Sequence, residues 1–297
     1  MNTTVSDGPD GLAVVDKEAG WTSHDVVARS RKLLGTRKIG HSGTLDPDAT
    51  GLLLLGVGRV TRLLRFLTDL AKCYETEVVF GVETSTLDAG GEVTATHDMS
   101  GLTPDKVIAA GSQFVGRIEQ IPPMVSARRV GGVRLHELAR AGIEVEREAR
   151  PVTIYDLDIR PTQDPLVYRL AMSCSSGTYV RTLAADIGRA LGGGAHLRAL
   201  RRTSIGRFSA SDALALDAIT VGGLLTPAVA LADYPAIALT EAQAIDIRHG
   251  RQAVLEGELE DSRAVRLLDP DGQLVAMARS EGSTFRPLVV LPAPSAG

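Results

Sequence analysis

Apolar and polar positions alternate with two different periods along this chain, and the changes of period mark its elements. GLAVVDK (11–17) reads as a short strand that ends in charge. Thr22 to Asp25 fits a capping box, and Val26, Val27, Leu33 and Leu34 share one face behind it. That pattern predicts a helix over 23–34, stopped by Gly35. YETEVVFGV (74–82) is rich in β-branched and aromatic residues and predicts a strand. The Gly- and Thr-rich, acidic stretch 83–101 reads as a loop. A helix over 104–115 follows, and Pro122-Pro123 ends the segment beyond it. Residues 133–141 predict a short helix before Gly142, and 151–159 and 166–174 predict strands. After Ser175-Ser176-Gly177, the spacing of Val180, Leu183, Ala184, Ile187 and Leu191 is helical. Near residue 236 the character changes. A helix over 240–249 closes at Gly250, and short strands follow, two of them joined by a turn at 270–272.

Strands and helices mix without a regular βαβ alternation. The class expected is α+β, with a mixed, mostly antiparallel sheet flanked by helices. The expected division is a flexible N-terminus (1–10), a main domain (11–235) and a small, mostly β module (236–297).

Composition changes this picture little. Of 297 residues, 44% are hydrophobic, enough for a substantial core. The four leucines at 52–55 are far too few to span a bilayer, and MNTTVSDGPD has no basic and apolar leader pattern. Cys73 and Cys174 lack metal-like spacing, so a reducing cytoplasm is the expected setting. Charge changes it more. The net charge is −4, yet residues 21–72 hold 9 Lys and Arg against 4 Asp and Glu, and residues 179–210 hold 6 against 1. Two basic segments can present a phosphate-binding face on an acidic chain, because counterion release is local. They can equally be solvated helix faces.

The densest chemistry lies in GHSGTLDPDATGLLLLG (40–56). GTRKIGHS (35–42) has the glycine spacing of a phosphate-binding P-loop, but His41 stands where Lys is needed. DPDAT (46–50) fits the D-x-D-x-T of magnesium-dependent aspartyl-phosphatases. Those need the first Asp at the tip of an apolar strand, and GHSGTL is small and polar. A bare Leu-Asp-Pro carries no information, since it recurs at Leu268, Asp269 and Pro270.

The whole constellation does carry information. GHSGTLDPDATGLLLLGVGRVTRL closely resembles the catalytic block of the TruB family of bacterial tRNA pseudouridine synthases. The resemblance continues through DKEAGWTSHDVV, KCYETEVVFGVETSTLDAGGEV, QIPPMVSARRVGGVRLHELARAG, SCSSGTYVRTLAADIG and AHLRALRRTSIGRF, in order, from residue 11 to about 215. The tail resembles, more weakly, a PUA-like RNA-binding domain.

This resemblance implies isomerisation of the T-loop uridine of tRNA, position 55, with no cofactor and no metal. It implies that Asp46 is the catalytic aspartate, Arg181 its partner and Tyr74 an active-site ring. Tyr179 and Leu200 fall at pocket positions. His41 falls where the family stacks a ring beside the flipped base. Lys17 and Asp88 lie at motif positions, Asp88 as a contact to extruded nucleotides and Lys17 as a contact or a structural group. Arg37, Lys38, Arg128, Arg129, Arg201 and Arg202 are candidates for phosphates. Residues 120–150 could cover the bound RNA. A monomer acting on the T-stem-loop is expected, with no membrane and no obligate protein partner. Glu18, Val125, Arg129 and His136 depart from the family pattern in blocks that shape the site. An RNA-folding protein without catalysis is the alternative of a different class.

Overall fold

The computed structural model describes residues 8–126, 129–251, 253–254, 264–281 and 284–292. In chain order the first half contains β1 (Gly11–Lys17), α1 (Ser23–Leu33), β2 (Ile39–Ser42), β3 (Thr50–Val57), α2 (Leu64–Thr68), β4 (Lys72–Phe80), β5 (Val82–Thr84), β6 (Val93–Thr96), α3 (Pro104–Ser112) and β7 (Gly116–Gln120). The second half contains β8 (Arg129–Val130), β9 (Val133–Arg134), α4 (Leu135–Arg140), β10 (Arg150–Pro161), β11 (Val167–Cys174), α5 (Val180–Ala190), β12 (Ala195–Ile205), β13 (Phe208–Ser209), β14 (Leu214–Ala215) and α6 (Pro227–Ala230). The tail holds β15 (Ala236–Ala238), α7 (Glu241–Arg248), β16 (Ala253–Val254), β17 (Ala264–Leu268), β18 (Leu274–Glu281) and β19 (Thr284–Val290).

Ten strands form the main sheet, in the order β14-β1-β3-β12-β4-β11-β10-β7, with β2 on β3 and β13 on β12. Within it, among the described residues, only the β1–β14 and β3–β12 strand pairs run parallel. The architecture is the mixed, mostly antiparallel α+β sheet expected. The tail forms a separate five-stranded sheet, β15-β17-β18-β19-β16.

The leucine run is the centre of this architecture. Leu52, Leu53, Leu54 and Leu55 are fully buried on β3. Successive side chains leave a strand on opposite faces. Leu53 and Leu55 join the core under α1 with Val26, Val27 and Leu34. Leu52 and Leu54 join a core on the other face with Leu63, Leu67, Met277, Val289 and Leu291. A strand covered on both faces reads as an unbroken apolar run, which is why 52–55 shows no alternation. The second core also ties the tail sheet to the main one. Three arginines reinforce that seam at three-residue spacing, matching the 3₁₀ turn at Gly58–Leu63 and the start of α2. Arg59 donates to Pro292 O at 3.3 Å, Arg62 to Val290 O at 3.0 Å and Arg65 to Leu288 O at 3.2 Å.

Several expectations need correction. The stretch 83–101 is not only loop, because β5 and β6 form a hairpin in it. The strand expected over 74–82 begins at Lys72 and ends at Phe80, where Gly81 takes φ +86°. The helix expected over 133–141 starts at Leu135, after the β8–β9 hairpin. The arginine-rich block 195–205 is an interior strand, β12, running between β3 and β4. Two register shifts, at 197/199 and 202/204, break its alternation and hid it from periodicity. Residues 1–7 lie outside the described residues, but Asp10 is not loose. Both its oxygens accept hydrogen bonds from Arg59.

Candidate active site

Residues 43–49 link β2 to β3 and carry Asp46 at a turn closed by Ala49 N donating to Asp46 O at 3.1 Å. Pro47 suits the second position of such a turn because its φ is already set. The loop is held from below by the 17–23 segment. Gly20 N donates to Pro47 O at 3.0 Å. Ser23 Oγ accepts from Leu45 N at 3.0 Å and donates to Leu45 O at 3.3 Å. Lys17, only 1% exposed, donates from Nζ to the carbonyls of Glu18, Trp21 and Pro47 at 2.9, 2.7 and 2.9 Å. All three ammonium protons are used. Lys17 is therefore a tie beneath the loop, with no donor left for RNA. Burial first, and Arg202 less, push its pKa down to about 8, against the pull of Asp48 and Asp46.

Arg181 sits in the first turn of α5, beneath the loop, and is 4% exposed. Its Nε lies 3.1 Å from Asp46 Oδ2 and its Nη2 3.2 Å from Asp46 Oδ1, a two-point fork. The remaining N–H groups go to Val125 O at 2.8 Å, Thr86 O at 2.9 Å and Asp88 Oδ2 at 3.0 Å. One guanidinium thus spans two carboxylates. Asp88 Oδ1 accepts from Thr86 Oγ1 at 2.6 Å and Gly90 N at 3.1 Å. The structure places Asp88 as a brace on Arg181, with a quarter of its side chain still exposed. Val125 uses its carbonyl, which any residue supplies, so the departure there leaves this bond intact. The Asp46 side chain is 39% exposed at the mouth of a recess. Burial raises its pKa, opposed by Arg181 and reinforced by Asp88.

That recess is a cavity of about 280 Å³ in which Asp46, Tyr74, Tyr179, Arg181, Leu200 and Arg202 meet. Tyr74 on β4 is in register with Arg202 on β12. Burial raises the phenol pKa, partly countered by Arg202. Tyr179 caps α5, and Gln120 grips its backbone from both sides, accepting from Tyr179 N at 3.0 Å and donating to Tyr179 O at 3.3 Å. Arg202 is 1% exposed, donating from Nε to Leu52 O at 2.8 Å and from Nη2 to Gly43 O at 3.1 Å. A phosphate on the RNA surface cannot reach it, so the expectation of a backbone contact fails. Its carbonyl partners belong to the Asp46 loop and β3. Gly51 is required here, since a Cβ would lie 2.2 Å from Arg202 O at φ +101°. The glycine admits β12, not a nucleotide.

His41 lies on β2, outside the cavity, edge-on to His24 at 5.5 Å. Burial, with His24 and Arg202, pushes its pKa down to about 4, so the ring is neutral near pH 7. Its buried Nδ1 has no hydrogen-bond partner among the described residues. Arg37 and Lys38 are exposed just before β2. Arg201 is committed to Asp16, at 3.0 and 2.7 Å. Arg128 and the side chains of Arg129 and His136 lie outside the described residues. Asp46 does not stand at the tip of a parallel strand, since β2 and β3 pair antiparallel. The phosphatase geometry is therefore absent. Ser23, Gln120 and Lys72, which also lines the cavity, were not legible beforehand. Single polar side chains that bond to backbone leave no periodic trace.

Residues 31–180 match the family described as TruB family pseudouridylate synthase (N terminal domain). Residues 181–223 match the tRNA pseudouridylate synthase B C-terminal domain, and 234–292 the tRNA pseudouridine synthase II C-terminal domain. A tRNA pseudouridine synthase B from Arthrobacter sp. (strain FB24) is 42% identical over 96% of this chain and 97% of its own length. One from Symbiobacterium thermophilum is 49% identical over 81% and 82%. Among solved structures, a chain of a Cbf5-Nop10-Gar1 complex shares the fold at TM-score 0.74 and 24% identity, over 95% of this chain and 85% of its own. With an isomerase-type site at the loop that carries the resemblance, and relatives this close over nearly the whole chain, the chain belongs to the TruB family of pseudouridylate synthases.

Proposed function

We propose that this chain converts the T-loop uridine of tRNA, uridine 55, to pseudouridine, with Asp46 as the catalytic carboxylate. The observation that carries the reading is Asp46 held in a two-point fork by Arg181 at the mouth of a base-sized cavity backed by Tyr74. Relatives 42–49% identical carry the name tRNA pseudouridine synthase B.

The reaction needs no outside reagent. The N1–C1′ bond breaks with its electron pair on the uracil, the base turns, and C5 bonds to C1′. The C5 proton leaves, and N1 gains one. Asp46 works ionised, as a nucleophile or as a base toward the ribose. Arg181 keeps it ionised although burial favours the neutral acid. Tyr74 is a neutral phenol near pH 7, suited to stack on the uracil and to hydrogen-bond, not to stand as a ready base. Extracting the base costs a few kcal/mol of stacking. His41, neutral and outside the cavity, suits a ring stacked in the vacated loop. Exposed Arg37 and Lys38 suit phosphates, which makes affinity fall with salt. Residues 120–150 supply Val125 O to Arg181 and would cover the bound loop. The enzyme acts as a monomer in the cytoplasm.

The test is tritium release from unmodified tRNA labelled at uracil C5. Wild type releases tritium in proportion to pseudouridine formed. Asp46→Asn loses at least about 10⁴-fold in rate while still binding tRNA. A silent wild type, or an Asp46→Asn variant as fast as wild type, refutes the assignment.

A further inference from the structure

Lys72 opens β4, two residues before Tyr74, and lines the same cavity as Asp46. It is buried, yet no carboxylate bonds to it among the described residues. Its Nζ donates to Thr68 O at 2.7 Å and Leu70 O at 2.8 Å. An ammonium has three protons, so one is left without an acceptor among the described residues. Arg202 converges on the same place. A methyl group on Gly43 would lie 3.5 Å from Arg202 Nη1 and 3.7 Å from Lys72 Cε. The Asp46 end of the cavity is thus neutralised by an ion pair, whereas the Lys72 end holds two cations, Lys72 on carbonyls and Arg202 on carbonyls and the Tyr74 hydroxyl, with no carboxylate paired to either among the described residues.

Breaking N1–C1′ leaves the electron pair on the uracil, delocalised onto its carbonyl oxygens. A preorganised cation aimed where that charge develops stabilises the transition state more than the bound substrate. We propose that Lys72, with Arg202 beside it, is a further catalytic residue that holds a carbonyl oxygen of the detached, anionic uracil. The proposal rests on the cavity being the uridine site.

The groups facing Lys72 are Arg202 from β12, Cys174 from β11, Tyr74 on β4 itself and Asp69 from the turn before β4. Burial first, then Arg202, lowers the lysine to about 8. Burial pushes the Cys174 thiol up to about 11, and Tyr74 is raised as well, so neither titrates near pH 8. Loss of the ammonium charge as pH rises through about 8 should therefore slow the chemical step.

Single-turnover tritium release on labelled tRNA, with tRNA affinity measured separately, decides it. Lys72→Met is expected to slow release about 100-fold with tRNA affinity within about threefold, and Lys72→Arg to recover about tenfold of that. Wild type should lose rate between pH 7.5 and 9.5, and Lys72→Arg should lose clearly less, keeping only the part due to Lys17, which titrates in both enzymes. A Lys72→Met enzyme within threefold of wild type overturns the proposal. So does a wild-type rate that is flat across that pH range, a result that needs no variant to fold. An inactive wild type would instead overturn the uridine assignment itself.

Discussion

Arg181 and Arg202 face one cavity, and each is almost wholly buried. They differ in what holds them. Arg181 lies between two carboxylates, Asp46 and Asp88, and two carbonyls, so its charge is spent and its geometry is fixed. Arg202 is held by the carbonyls of Leu52 and Gly43, neutral groups that fix the guanidinium without cancelling its charge. Buried charge is costly unless it is paired or well hydrogen-bonded. The site uses both solutions. One end holds a carboxylate aimed by a cation; the other keeps a positive field. A reaction that needs an ionised acid at one end of a base and a place for negative charge at the other has use for both.

The comparison can be broken by substitution. The largest effect is expected for Arg181→Met, which leaves Asp46 without its fork and still near Asp88. The loss also takes the donors from the carbonyls of Thr86 and Val125, about 1–3 kcal/mol of stability each, and the tritium-release rate should fall about 10³-fold. The pH sign follows from the direction of the Asp46 shift. Burial already raises that acid, and Arg181 opposes the rise. Without Arg181 the carboxyl takes up its proton at higher pH. The acid limb of the rate profile should therefore move to higher pH, and Arg181→Lys, which keeps a charge but not the fork, should fall between the two.

Arg202→Met comes next. It strands Leu52 O and Gly43 O in the interior, and each unsatisfied group costs about 1–3 kcal/mol. Chemical denaturation should show that loss, and an acid limb left in place would separate this arginine from Arg181. Lys17→Met should be milder in rate but visible in stability, by about 1–3 kcal/mol, because it takes the donor from the carbonyls of Glu18 and Trp21 and leaves Pro47 O, beneath the Asp46 turn, to Gly20 N alone. A Lys17→Met enzyme with unchanged melting and unchanged rate would show that Gly20 and Ser23 hold the loop alone. The smallest effects are expected at the seam. Arg62→Met and Arg65→Met each remove one exposed bond to β19, about 0.5–1.5 kcal/mol by thermal melting, with the rate unaltered.

Three kinds of information were legible in the chain before its structure. Elements with clean periods were legible. α1 appears with the Thr22–Asp25 box, and α5 follows the Ser-Ser-Gly turn. The class was legible from the mixture of those elements, and Asp46, Tyr74 and Arg181 from an ordered set of motif blocks. β12 was not, because two bulges and three arginines disguise an interior strand as a basic surface segment. Nor were the fates of its arginines. Arg202 turns inward to carbonyls and Arg201 outward to Asp16, though they are neighbours in the chain.

Sequence by itself determined which local conformations are cheap, which runs must be buried, and which residue types can do the chemistry. Those are properties of side chains and of neighbours a few positions away. Tertiary structure alone decided partnership. Asp46 and Arg181 are 135 residues apart in the chain, and Lys72 comes to the cavity through the pairing of β4 with β11 and β12. Whether a buried cation is spent on a carboxylate or left to act depends on what lies within about 3 Å of it, and that distance is set by how strands pair and pack.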